Sequence, residues 1–217
     1  MSPRIPFALA AAVAVAATAP PAATAQSTFE GVVTFQMGNG PLGPQTMRYS
    51  VKGKKLRMDI SAQGMDFYEL YDAATQTQDM VIPMRRMYTE RKVDAAAVVD
   101  STVGKGKVEW TGKKETIAGH ECEHADITVA DGSTADLCLA RDLGAFLWLQ
   151  RGPGGRGGPG MGGWQDQIGQ TFPLKVMRDG KVVLLATHVE KKALADSVFA
   201  VPAGYQKMGM PGRGGGR

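Results

Sequence analysis

The chain has 217 residues, of which 43% are hydrophobic and 21% charged, with a formal net charge of +4. Beyond an N-terminal leader, this is one domain's worth of chain, able to bury roughly 70% of its unfolded surface. Much of the basic excess comes from Arg151, Arg156, Arg213 and Arg217, in Gly-rich segments rather than on a folded face. Nucleic acid is not expected as a partner of an exported chain, which residues 1–25 suggest this is, and the basic excess points only to weak peripheral attraction to an anionic membrane surface.

Residues 1–25 read as a secretory signal peptide. Arg4 supplies the charge, Phe7 to Ala19 an apolar run too short to span a bilayer, and Ala23-Thr24-Ala25 the small residues before cleavage near Ala25-Gln26. The product is expected outside the cytoplasm, periplasmic or secreted. No cysteine stands at the cleavage site to carry a lipid anchor. No later stretch is apolar and long enough for a membrane helix, so a membrane-spanning chain is not expected.

Residues 26–208 read as a single domain built mostly from strands. Phe29, Val33, Phe35 and Met37 share one face of a first strand, and Met47, Tyr49 and Val51 continue it after turn signals at 38–44. Leu56, Met58 and Ile60 alternate with Arg57, Asp59 and Ser61, the mark of an antiparallel sheet with unlike faces. Phe67–Tyr71, Thr77–Ile82 and Arg86–Arg91 read as further strands. The spacing predicts a short helix over Val93–Thr102.

Strands resume at Lys107–Thr111, Glu115–Ile117, Glu121–Val129 and Thr134–Ala140, the last two flanking Asp131-Gly132. A second Asp-Gly, at 179–180, closes another hairpin, in which Val176 is expected to face Val183 and Leu174 to face Leu185. His188 falls in the strand Val182–Val189 and reads as a sheet residue. The Gly-rich insert 151–163 and the tail 209–217 have too few side chains to offset their ordering entropy and are expected to be flexible.

Cys122 and Cys138 are the two cysteines. In an oxidising compartment an even pair reads first as a disulfide. A plain two-residue Asp131-Gly132 turn would put them on opposite faces. A bulged or three-residue turn shifts the register by one and places them diagonally on the same face, so such a turn is expected.

His120-Glu121-Cys122-Glu123-His124 matches H-E-x-x-H, which on a helix gives a zinc hydrolase its two imidazole ligands and general base. Gly119 directly before it and Ala125–Val129 after it are turn and strand chemistry. On a strand, His120, Cys122, His124 and Asp126 share one face, while Ala125, Ile127 and Val129 face the core. His120 and His124 are thus an alternative metal pair rather than the expected one, and neither a cofactor nor a catalytic residue is expected. No nucleophile elbow or phosphate-binding loop is present.

Methionines at 37, 47, 58, 65, 80, 84, 87 and 177 are spread over the strands. Methionine adapts to irregular apolar shapes. The strand alternation makes Phe35, Met37, Tyr49, Met58, Phe67 and Met87 the candidate lining of an apolar ligand site.

Four blocks carry a family resemblance: Phe29–Phe35, Lys52–Met58, Thr111–Cys122 and Asp196–Met208. Together they resemble the bacterial exported domains of unknown function numbered 4412, which look related to the periplasmic lipoprotein carriers of the LolA and LolB type. The resemblance implies a mainly β fold with minor α: a strongly curved antiparallel sheet, an incomplete barrel, with one or two short helices against its concave face. It implies no known enzymatic activity, and it places Cys122 on a strand. The leading functional expectation is non-enzymatic binding of an apolar or lipid-like ligand in the cell envelope. The alternatives are a structural or interaction protein without a ligand, and the zinc hydrolase.

Overall fold

Period-two alternation runs through nearly every element of this chain, and the result is one sheet. The computed structural model describes residues 29–40, 43–62, 65–93, 107–128, 134–147 and 165–209. Residues 1–25, expected to be a signal peptide, the helix expected at Val93–Thr102 apart from Val93, the Gly-rich insert, and the tail apart from Gly209 lie outside the described residues.

Among the described residues, twelve strands form one sheet. Six come from the first half of the chain: β1 (Gly31–Gly40), β2 (Gly43–Lys52), β3 (Lys55–Ala62), β4 (Met65–Asp72), β5 (Thr77–Ile82) and β6 (Met87–Lys92). The second half supplies β7 (Lys107–Ile117), β8 (His120–Thr128), β9 (Thr134–Ala140), β10 (Phe172–Arg178), β11 (Lys181–Lys191) and β12 (Gln206–Lys207). The spatial order is β12-β6-β5-β4-β3-β2-β1-β11-β10-β9-β8-β7. Two antiparallel meanders thus meet where β1 pairs with β11, and the short β12 adds a parallel edge to β6. The fold is mainly β, as expected, and among the described residues the sheet is open, ending at β7 and β12.

Side-chain convergence shows which way the sheet curves. Tyr49 on β2 and Phe172 on β10 are three strand spacings apart, about 14 Å along the sheet. Their rings nevertheless meet at 5.4 Å between centroids. Phe35, Tyr49 and Phe172 therefore lie on a concave face, where the largest core cluster also takes in Val33, Leu56, Leu174 and Ala186. The opposite face is covered twice. Ala125, Ile127, Leu137, Leu139 and Val176 pack with Ile168 from a single helical turn, Gln165–Ile168. Tyr68, Leu70 and Val81 pack with Val201 and Tyr205 from the C-terminal segment.

That segment is a strap. Leu194 N–H donates to Glu30, Lys52 donates to the Leu194 carbonyl, and Arg57 donates to the Val198 carbonyl. It finishes alongside β6 as β12. The block 196–208 thus closes over the convex side of the first meander.

Two expectations about register are settled. Thr128 pairs with Thr134, Cys122 with Ala140 and His124 with Cys138, so both cysteines lie on one face, as the shifted register requires. The turn residues 129–133 lie outside the described residues. At the other hairpin Arg178 pairs with Lys181 across Asp179 (φ 50°) and Gly180 (φ 70°), the positive-φ pair that a tight two-residue turn needs. Beyond it the register slips. Val176 pairs with Leu184 rather than Val183, and Lys175 rather than Leu174 pairs with Leu185. The expected pairing is corrected by a bulge, and a second irregularity falls between Pro173 and Lys175, where proline lacks the N–H a regular ladder uses.

Candidate functional site

All of the candidate lining residues lie on the concave face. The rungs Val33–Tyr49–Met58, Phe35–Met47–Ile60–Phe67 and Ile82–Met87 carry them from β1 to β6. Their surroundings differ. Phe35 and Tyr49 are fully buried, 0% and 1% exposed, beneath Phe146, which follows β9. The Tyr49 hydroxyl accepts from the Leu147 N–H at 2.8 Å, and burial pushes its phenol far above the ordinary range. Met37, Met58, Phe67 and Met87 are only half-buried. The concave face is thus an aromatic wall beside a methionine-rich shelf.

A polar row interrupts the shelf. Glu69, Gln78 and Arg91 lie on adjacent strands of the same face. Gln78 Nε2 donates to Glu69 Oε2 at 2.9 Å, and Arg91 Nε donates to Gln78 Oε1 at 2.9 Å. Burial pushes the Glu69 carboxyl above its ordinary range, against the Gln78 hydrogen bond and the Arg91 charge. A shallow cavity of about 300 Å³ opens near the β4–β5 turn, lined in part by Leu70, Asp79 and Phe199, away from the candidate lining.

The H-E-x-x-H segment is a strand. Ala118 (φ 49°) and Gly119 (φ 85°) form a tight turn between β7 and β8, so His120 opens β8 and no helix can lead in. The helical zinc-hydrolase arrangement is therefore not formed. His120 and His124 go to different partners: His120 Nδ1 lies 2.6 Å from Asp142, and His124 Nδ1 lies 2.8 Å from Asp136.

Cys122 and Cys138 form a disulfide, with Cα atoms 5.2 Å apart. Beside it, His124 is 2% exposed. Its Nε2 lies 3.1 Å from Glu115 Oε2, and Lys175 Nζ contacts both Glu115 oxygens at 3.2 and 3.0 Å. The Lys175 hydrogen bond, aided by His124, holds the Glu115 carboxyl below its usual range against burial. A carboxylate faces each imidazole nitrogen, Asp136 at Nδ1 and Glu115 at Nε2.

A family model described as "Domain of unknown function (DUF4412)" matches residues 29–205. The chain belongs to the DUF4412 family. Among solved structures, an uncharacterized conserved protein from Thermus thermophilus superposes on the DUF4412 chain with a TM-score of 0.53 at 9% identity, over 84% of this chain and 91% of that one. That likeness shows a shared fold. PNGF-II gives a TM-score of 0.47 at 18% identity, over 83% of this chain and 30% of its own. A chain of the Pseudomonas aeruginosa MucA/MucB complex gives 0.42 at 15% identity, over 80% and 55%. The DUF4412 chain thus spans less than two thirds of the length of these last two. No significant match was found among curated proteins.

The strand pattern of the DUF4412 domain already put Cys122 and His124 together. Glu115, Asp136 and Lys175 escaped notice because their places depend on three rungs in different hairpins: Glu115–Cys122, His124–Cys138 and Lys175–Cys138. The signal that could have found them was charge at positions that alternate with apolar ones, as in Asp136-Leu137-Cys138. The Glu69 row carried the same signal, with Glu69 between Phe67 and Tyr71 on one face.

Proposed function

We propose that this protein is a non-enzymatic, extracytoplasmic binder of an apolar or lipid-like ligand, held on the concave face of its sheet. The observation that carries this reading is the shelf of Met37, Met58, Phe67 and Met87, half-buried on one face beside a packed aromatic wall. Flexible thioethers suit an acyl-like shape of variable outline. The leader-like segment 1–25 and the Cys122–Cys138 disulfide support a place outside the cytoplasm. Exposed Lys54 and Lys191, at the same end of the sheet, are suited to peripheral contact with an anionic membrane surface.

The test uses the fluorescent probe N-phenyl-1-naphthylamine on the full mature chain. Met58→Gln with Met87→Gln keeps side-chain volume and removes apolar character. The double variant should keep the wild-type circular dichroism and bind the probe at least about fivefold more weakly. Equal binding by a folded double variant would remove the site.

A second reading, an envelope interaction protein without a ligand, is favoured by one observation. Phe146 stacks on Tyr49 and meets Phe35 and Phe172, so the protein fills part of its own concave face. It predicts no probe binding by the wild type.

A further inference from the structure

Donor atoms converge beside the disulfide in a way the ligand-binding reading does not use. Glu115, His124 and Cys138 bring a carboxylate oxygen, an imidazole nitrogen and a sulfur within 4.8 Å of one another. His124 and Cys138 are almost wholly buried. The rest of the concave core nearby is Phe172, Leu174 and Ala140. Glu115 and Asp136 flank the buried imidazole on either side, and Lys175 pairs with Glu115.

We propose that this cluster is a zinc site available to the reduced chain, with the Cys122 and Cys138 thiolates, His124 Nε2 and Glu115 Oε2 as its four donors. Thiolate, imidazole and carboxylate are the donor types zinc selects. Bonds of about 2.0–2.3 Å in a tetrahedron set donors roughly 3.3–3.8 Å apart. His124 Nε2 and Glu115 Oε2 already stand at 3.1 Å.

The surroundings fit as well. Asp136 holds His124 by Nδ1, which aims Nε2 at the other donors, the place carboxylates take behind zinc-bound histidines. Lys175 can stay on Glu115 Oε1 while Oε2 binds. The donors sit on β7, β8 and β9, tied by the rungs Glu115–Cys122 and His124–Cys138, so no loop has to move. The two cysteines need only side-chain rotation from a Cα separation of 5.2 Å.

The chemistry balances. A dithiol reductant is oxidised to its own disulfide and transfers two electrons and two protons to the Cys122–Cys138 bond, giving two thiols. Zinc then displaces both thiol protons, which leave to solvent, and takes the lone pair of His124 Nε2 and the Glu115 carboxylate without further proton loss. The oxidised chain has no thiolates and cannot form the site. Coordination replaces the covalent tie between β8 and β9 whenever the disulfide is open.

The experiment is a metal titration of the full mature chain, without oxygen, under a phosphine reductant and in its absence. The expected result is one zinc per reduced chain and none per oxidised chain. Cobalt(II) in its place should give the intense visible bands of a tetrahedral thiolate site. His124→Gln and Glu115→Gln should shift those bands and weaken zinc at least tenfold, while Asp136→Asn should weaken it by about 10–100-fold. Circular dichroism of each oxidised variant checks its fold. A reduced chain that takes up no zinc, folded or not, overturns the site. So does uptake by His124→Gln and Glu115→Gln with unchanged affinity and spectrum, which would leave the thiols as the whole ligand set.

Discussion

Phe146 lies flat on Tyr49, with ring centroids 4.5 Å apart and planes 16° from parallel. The residue after it, Leu147, both donates its N–H to the Tyr49 hydroxyl and accepts from it through its carbonyl. The chain after β9 is thereby pinned across the concave face. Phe146→Ala should cost about 3 kcal/mol, the low end for a large aromatic because the ring is only half-buried. Tyr49→Phe should cost about 1–2 kcal/mol, since the Leu147 N–H loses its acceptor. Urea midpoints read both. The phenylalanine deletion also separates the two functional readings: opening the wall should raise N-phenyl-1-naphthylamine uptake if the face holds a ligand. A destabilised variant with no added uptake would favour the interaction protein.

The disulfide closes a sequence separation of 16 residues. Chain-entropy estimates for such a loop give about 3 kcal/mol. The hairpin β8–β9 already keeps the two strands together, so Cys122→Ser with Cys138→Ser should cost about 2 kcal/mol. The comparison needs a chelator in both samples. A thermal melt that does not change would mean that the β8–β9 ladder alone sets the stability of this region.

How far the sequence could be read depends on the length of the pattern that carried each feature. The strands β1 to β6 were legible because Val33, Phe35, Tyr49, Met58 and Ile60 repeat over long regular runs, and one-residue slips would expose a whole face. Cys122 and Cys138 could be placed on one face because a disulfide demands it. Residues 141–147 carry no period, so nothing marked Phe146 as the cover over Tyr49. Lys175 was out of reach for another reason: the irregularity beside Pro173 and the slip beside Val176 each change which residue it meets. The strap was recognisable only as a family block, since Val201 and Tyr205 pack on the sheet without a period and the rest is fastened by single hydrogen bonds at Glu30, Lys52 and Arg57.

Glu69 should make stability depend on pH. Its folded carboxyl is raised above the ordinary 4.5 by burial. A raised carboxyl means that the folded state holds the proton more tightly than the unfolded state. Stability is therefore greater in acid and falls as pH rises through the window from 4.5 upward. Glu69→Gln removes that dependence and keeps an acceptor for Gln78. The variant should match or exceed the wild type at about pH 7 and fall behind it near about pH 4. Urea midpoints measured across that range check the sign. A variant that loses more stability at neutral pH than in acid would show that the Arg91 charge outweighs burial.

Arg57 is held on the sheet by Asp59 and Tyr68 and reaches the strap through the Val198 carbonyl. Its Nε and Nη2 donate to Asp59 at 3.0 and 2.7 Å, its Nη1 donates to the Val198 carbonyl at 3.3 Å, and its guanidinium lies 3.8 Å from the Tyr68 ring centroid. A lysine ammonium keeps the charge but has no planar fork to serve a carboxylate, a carbonyl and a ring together. Arg57→Lys should therefore cost about 1 kcal/mol in global stability, with a larger local effect. The amides that close the strap are Gln206 N–H to the Arg86 carbonyl and Met208 N–H to the Tyr88 carbonyl, at 2.9 and 2.7 Å. Both should exchange with solvent faster in the variant, while amides of β1 such as Val33 change only by the global amount. Hydrogen exchange resolved to single residues distinguishes the cases. Uniform acceleration would mean that the strap unfolds with the sheet. Selective acceleration at 206 and 208 would mean that it lifts on its own, uncovering Tyr68, Leu70 and Val81 while the concave face stays intact.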